Sequence, residues 1–165
     1  MKKNGFILLF LLFSARVFSQ NPTPCSAPET SQFDFWLGDW NLTYNDTSHA
    51  TNSITKPFGN CVIQEHFNDP ANKYTGSSWS VYNPQLKKWQ QTWVDIAGAY
   101  LDFTGEFKDG KMQLSRTGLN PAGKKIMQRM IYYNITKDQF DWNWESSTDE
   151  GANWVVNWKL HYQRK

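Results

Sequence analysis

Arg129, Glu65, Trp93 and Tyr133 are the residues whose types and positions point most directly to chemistry inside a folded scaffold. Arg129 shares strand parity with Met127, Ile131, Tyr133 and Ile135, a set that reads as inward-facing. A guanidinium in an apolar interior is costly unless it is paired. Two partners suit it: Glu65, which shares parity with Cys61, Ile63 and Phe67, or the anionic end of a bound molecule. Trp89, Gln91, Trp93 and Asp95 fall on one face, and Phe140, Trp142 and Trp144 on another. Such indoles fill a core first and can also wall a flat or sugar-like ligand. Arg129, Glu65, Trp93 and Tyr133 are therefore the expected ligand contacts.

Catalytic constellations are missing. The chain has no G-x-S-x-G elbow, no H-E-x-x-H and no glycine-rich phosphate loop, so no catalytic residue is assigned. Glu65 with Asp95, or Asp141 with Glu145, could serve as carboxylate pairs only at a separation that spacing along the chain cannot supply. An enzyme acting on a cavity-bound ligand is the least favoured reading. No C-x-x-C and no Cys/His cluster exists, so a metal site is not expected either.

The elements that must hold these residues are mostly strands. Trp40, Leu42 and Tyr44 alternate against Asn41, Thr43 and Asn45, and Leu101, Phe103, Gly105 and Phe107 alternate against Asp102, Thr104 and Glu106. Trp154, Val156, Trp158, Leu160 and Tyr162 share a further face. Asp109-Gly110 is a strong hairpin signal, because a type I′ turn needs positive φ at both central residues. Other turns are expected at 46–47, 58–59, 69–70, 83–84, 97–98, 120–121, 137–138 and 149–151. Nine turns give about ten consecutive strands, which suits an all-β, antiparallel up-and-down barrel with room for a cavity. The one helical signal precedes them. Ser26 and Glu29 are spaced as a capping box, and Phe33, Trp36 and Leu37 follow on one face before Gly38.

Composition locates the chain. Met1-Lys2-Lys3 and the apolar run from Phe6 to Phe13 resemble an export signal, with cleavage expected between Ser19 and Gln20. That run is too short for a membrane anchor, which needs about 20 residues. Residues 20–165 then form a single domain of 146 residues. The full chain carries 17 basic and 15 acidic residues; the leader holds three of the basic ones and no acid, leaving a net charge of −1. That balance excludes a basic nucleic-acid binder or a polybasic membrane binder. An oxidising compartment, periplasmic or extracellular, favours a Cys25–Cys61 disulfide over two free thiols. Asn21-Pro22-Thr23-Pro24 separates Cys25 from the apolar run, which argues against a lipid anchor there.

Gly38-Asp39-Trp40, at the start of the first strand, resembles the G-x-W opening of the calycins, or lipocalin-like barrels. The resemblance implies that Trp40 packs across a closed barrel end beneath a basic residue of the last strand, here Arg164. The wider motif Phe33-Asp34-Phe35-Trp36-Leu37-Gly38-Asp39-Trp40 resembles an exported bacterial lipocalin-like family without assigned chemistry. Gly59 to Ile63, Trp89 to Asp95 and Tyr162-x-Arg164 follow in the order that family shows. Related ten-stranded barrels, the nitrobindins, hold haem through a late histidine, which would be His161. If Trp158, Leu160 and Tyr162 point inward, His161 points to solvent, so no cofactor is expected. Ser147-Thr148-Asp149-Glu150-Gly151-Ala152-Asn153-Trp154 resembles an Asp-box, in which the carboxylate of Asp149 would hold a hairpin turn. The combined expectation is an exported barrel, monomeric or weakly dimeric, that binds a small and partly apolar molecule. A carbohydrate-binding surface built from exposed Trp and Tyr is the alternative.

Overall fold

The computed structural model describes residues 25–45, 48–59 and 61–165. The expected export leader and the 46–47 turn lie outside them. Ten strands run in sequence: β1 (Gly38–Tyr44), β2 (Ser48–Phe58), β3 (Val62–Asp69), β4 (Tyr74–Asn83) and β5 (Lys88–Asp95). They continue as β6 (Tyr100–Lys108), β7 (Lys111–Leu119), β8 (Lys125–Tyr133), β9 (Gln139–Ser147) and β10 (Val155–Arg164). Each pairs antiparallel with its neighbours in sequence, and β1 pairs with β10 through Trp40↔Arg164 and Leu42↔Tyr162. The barrel is closed, so every strand has a neighbour on both sides. β6 and β7 nevertheless pair only from Thr104 to Lys108 with Lys111 to Ser115, and β10 meets β1 only from His161 to Arg164. Asp109 and Gly110 both have positive φ, as the expected hairpin requires.

Alternation sets what faces inward. Trp40, Leu42 and Tyr44 are buried on β1, as are Trp89 and Gln91 on β5, and Leu160 and Tyr162 on β10. Two departures follow local backbone events. The β9–β10 register shifts between Val156 and Trp158, so Val156 is exposed while Trp158 is carried inward. The expected common face of Trp154, Val156 and Trp158 is therefore broken. A second shift, between Thr55 and Phe58, accommodates Pro57, which has no N–H for the ladder.

The helical segment is present as two short 3-10 turns, Pro28–Ser31 and Asp34–Trp36. The Ser26–Glu29 capping box does not form, because Ala27 occupies the N-cap and makes no side-chain cap. The hydroxyls of Thr30 and Ser31 donate to the carbonyls of Ala27 and Pro28 instead. A tighter coil lets Phe33 and Trp36, three residues apart, both enter the barrel end, where neither retains exposed surface. Phe33 meets Trp89 and Tyr132 edge-on at 4.8 and 5.5 Å, and Trp40 meets Phe140 at 5.0 Å. This aromatic plug closes the end at which β1 begins.

Three tethers hold the plug. The Cys25–Cys61 disulfide joins it to the β2–β3 turn. Lys56 forms an ion pair with Asp34 and donates to the Thr30 carbonyl at 3.1 Å. Arg164 lies over the Trp40 ring at 4.1 Å and donates to the carbonyls of Leu37, Phe35 and Lys137 at 2.7, 3.2 and 3.0 Å. Gly38 makes room for this arginine: its φ is +110°, and a Cβ there would fall 2.7 Å from Arg164 Nη1. Arg164→Met keeps the aliphatic stem but leaves these carbonyls without their donor. It should cost about 2–3 kcal/mol in urea unfolding followed by Trp emission. A loss below about 0.5 kcal/mol would show that the plug does not depend on Arg164.

Candidate functional site

Because one end is plugged, the interior opens at the other, between the turns at 70–73, 96–99, 120–124 and 148–154. A cavity of about 330 Å³ lies there, at the small end of the roughly 300–1,000 Å³ range of small-molecule sites. Phe67, Tyr74, Trp93, Trp142, Trp144 and Trp158 line it, together with Phe103, Tyr132 and Tyr162. Leu101, Met130 and Leu160 add aliphatic surface, and Glu65, Asp95 and Gln128 are polar. The space exists because β4 presents small residues inward: Gly76, Ser78 and Ser80 are buried in series. The Trp93 indole lies against Gly76, where a Cβ would come within 2.2 Å of the ring.

Glu65 and Asp95 occupy different environments. Glu65 is buried and accepts hydrogen bonds from Asn52 Nδ2 at 2.7 Å and Ser78 Oγ at 2.5 Å. Burial dominates these bonds and raises its pKa from 4.5 to about 7. Its charge, after burial itself, also pushes the phenols of Tyr132 and Tyr162 upward. Asp95 sits at the rim. It accepts from Trp93 Nε1 at 2.9 Å, Tyr74 OH at 2.7 Å and the amides of Ala97 and Ala99 at 2.9 and 3.1 Å. Partial burial works to raise its pKa, but these bonds outweigh it and hold the carboxyl below its usual range.

Of the four expected contacts, Glu65 and Trp93 line this cavity and Arg129 and Tyr133 do not. The parity expected for β8 is inverted: Met130 and Tyr132 are the buried residues facing inward. Arg129 lies on the outer wall, where Nε and Nη2 both bond Glu145 Oε2 at 2.7 Å. It pairs with Glu145 across the β8–β9 register, not with Glu65 and not with a cavity ligand. Its guanidinium also lies 3.8 Å from the Trp154 ring. Tyr133 OH donates to Asn143 Oδ1, and Asn143 Nδ2 donates to Glu145. The outer face of β8 is thus covered by a network that imitates burial.

The cover is supplied by the Asp-box hairpin. Asp149 accepts from the Asn153 amide at 2.9 Å, Ser147 Oγ at 2.7 Å and Asn153 Nδ2 at 2.7 Å, which lowers its pKa to about 2. Trp154 Nε1 donates to the Gly151 carbonyl, fixing the ring over Arg129. Asp149 has the hairpin-holding role that its motif implied. His161 is likewise on the outer wall, with Nδ1 2.9 Å from Asp141 Oδ1. That pair borders a wide, open groove outside the plugged end, lined also by Asp109, Lys111 and Gln139. None of the three histidines lines the cavity, and no grouping of three metal-ligating side chains occurs among the described residues.

Asn52, Ser78, Ser80 and Gln91 were missed as site-forming residues. Gln91 Nε2 donates to Ser80 Oγ at 2.9 Å, and Asn52 Nδ2 reaches both Glu65 and Tyr162 OH. The available signal was a polar residue at a core-parity position on β2 and β4, which flank the Glu65 strand β3, and on β5 beside β4.

No family model matches this chain, and no curated protein matches it. Among the described residues, no helix is long and apolar enough to cross a membrane.

The raised pKa of Glu65 has a thermodynamic consequence. Between pH 4.5 and about 7 the folded protein holds more protons than the unfolded chain. Stability therefore falls as pH rises through that window and levels off above it. Glu65→Gln should flatten this slope and exceed the wild type at pH 8 by on the order of 3 kcal/mol in urea unfolding. Superimposable stability–pH curves for the two proteins would contradict the assignment.

Proposed function

We propose that this chain is an exported small-molecule-binding protein that takes a partly apolar ligand into the barrel through its open end. The observation that carries this reading is the aromatic cavity of about 330 Å³ above a sealed plug. Apolar walls with a few convergent polar groups are the usual composition of a ligand site. Export is supported by the basic, apolar leader pattern ending near Ser19-Gln20, and by the Cys25–Cys61 disulfide, which suits an oxidising space. The resemblance of Phe33 to Trp40 to exported lipocalin-like proteins supports the same placement. The protein works as a monomer or weak dimer, since the cavity is completed within one chain.

The carbohydrate-surface alternative has one observation in its favour. Trp79 is 37% exposed and stacks on the exposed Phe58 at 5.6 Å and 19°. The other eight Trp are committed elsewhere: Trp36, Trp40 and Trp89 to buried core, Trp93, Trp142, Trp144 and Trp158 to the cavity, and Trp154 to Arg129. One two-ring platform is a small basis for gripping a polysaccharide, so the cavity reading is preferred.

The neutral probe N-phenyl-1-naphthylamine should gain emission on mixing with the protein, saturating at one per chain. Leu101→Trp, which fills the mouth, should abolish the gain. Absence of any gain, together with retention on insoluble polysaccharide that Trp79→Ala removes, would replace this reading with the surface one.

A further inference from the structure

The cavity has an electrostatic sign. Among the described residues lining it, none is Lys, Arg or His, whereas two are carboxylic acids. Its rings stand at steep angles to one another and so present π-faces from several directions. Trp142 and Trp158 are perpendicular at 5.8 Å, Phe67 meets Trp158 at 83° and 5.7 Å, and Phe103 meets Trp144 at 78° and 5.7 Å. Such faces are the negative ends of ring quadrupoles, and a box of them favours a cation.

Hydrogen-bonding capacity points the same way. Each Glu65 oxygen takes one bond, although a carboxylate accepts about four. Asn52, bonded to Glu65, is 2% exposed, and its Oδ1 has no donor. Around Glu65, therefore, acceptor capacity is left over on its carboxylate and on Asn52 Oδ1. Asp95 differs, because its four donors already hold it as part of the rim.

Building on the cavity-binding reading, we propose that the ligand carries an amine or quaternary ammonium cation, seated in the aromatic box with Glu65 as its counter-charge. An anionic ligand such as a fatty acid would meet two carboxyls and no cation. A cation that enters while Glu65 is protonated displaces that proton to solvent, and in either case the pair is neutral inside the barrel. The groups facing Glu65 do not obscure this exchange. Asn52 of β2 and Ser78 of β4 do not titrate; Tyr74 of β4, Tyr132 of β8 and Tyr162 of β10 are pushed upward and stay neutral. Asp95 of β5 is held below the usual carboxylate range and stays ionised. Across pH 5.5 to 8, Glu65 is the one of these groups that changes charge.

The test is a Trp-emission titration with four small probes: phenyltrimethylammonium, 2-phenylethylamine, 2-phenylethanol and phenylacetate. At pH 8 the two cations should bind about tenfold or more tighter than 2-phenylethanol, with phenylacetate weakest. Lowering the pH to 5.5 should weaken phenyltrimethylammonium, whose charge is fixed, by about tenfold and leave 2-phenylethanol unchanged. Glu65→Gln should erase both the preference and the pH slope. The wild-type ratios decide the matter even if that variant folds poorly. If 2-phenylethanol or phenylacetate binds as tightly as the cations while N-phenyl-1-naphthylamine still enters, the cation assignment is wrong and the cavity reading survives. If no probe enters, including the naphthylamine, both are wrong.

Discussion

Arg164 lies on the Trp40 ring at 4.1 Å while donating to carbonyls of the N-terminal 3-10 segment, and at that contact the two ends of the chain close one end of the barrel. The guanidinium is planar, so it can stack on an indole and donate from its edge at the same time. Trp40 and Arg164 are also register partners across the β1–β10 seam. The same pair therefore closes the sheet laterally and seats the cap that seals it axially. Everything above depends on this, because a barrel open at both ends would be a pore and one plugged at both ends would be a solid core.

With one end sealed, the aromatic residues divide into two populations. Phe33, Trp36, Trp40, Trp89 and Phe140 fill the plugged end and are fully buried. Trp93, Trp142, Trp144 and Trp158 are only partly buried, because part of each ring faces space and not another side chain. Tyr132 touches both groups and marks the floor between them. The small inner residues of β4 make the second population possible. A side chain at Gly76 would collide with the Trp93 ring, and a bulky one at Ser78 would fill the space and remove a donor that holds Glu65 in place.

Much of this was legible in the sequence, and the exceptions have physical causes. Alternation with a period of two placed Trp40, Leu42, Glu65, Trp93, Phe103 and Tyr162 on the inner face, and turn residues placed the strand boundaries. The stacking of Arg164 on Trp40 followed from the resemblance of the G-x-W opening. Strand β8 failed because Lys125–Tyr133 has apolar residues on both faces, so either parity looks like a core. Its outer set is sheltered by Trp154 and paired with Glu145, and that shelter comes from a hairpin folding back beside a register shift. No spacing rule for a single strand contains that information. The polar floor was missed for a related reason. Asn52, Ser78 and Gln91 lie far apart in the chain and share meaning only through the register of neighbouring strands.

On the proposed reading a buried acid, Glu65, is the chemical centre of an aromatic cavity and answers to what enters it. The most direct measurement is the titration of its side-chain carboxyl carbon by NMR, in protein alone and with saturating phenyltrimethylammonium. The midpoint should lie near 7 for the empty protein and move clearly downward when the cation is present. A midpoint at the ordinary value of 4.5, unmoved by the cation, would contradict that reading.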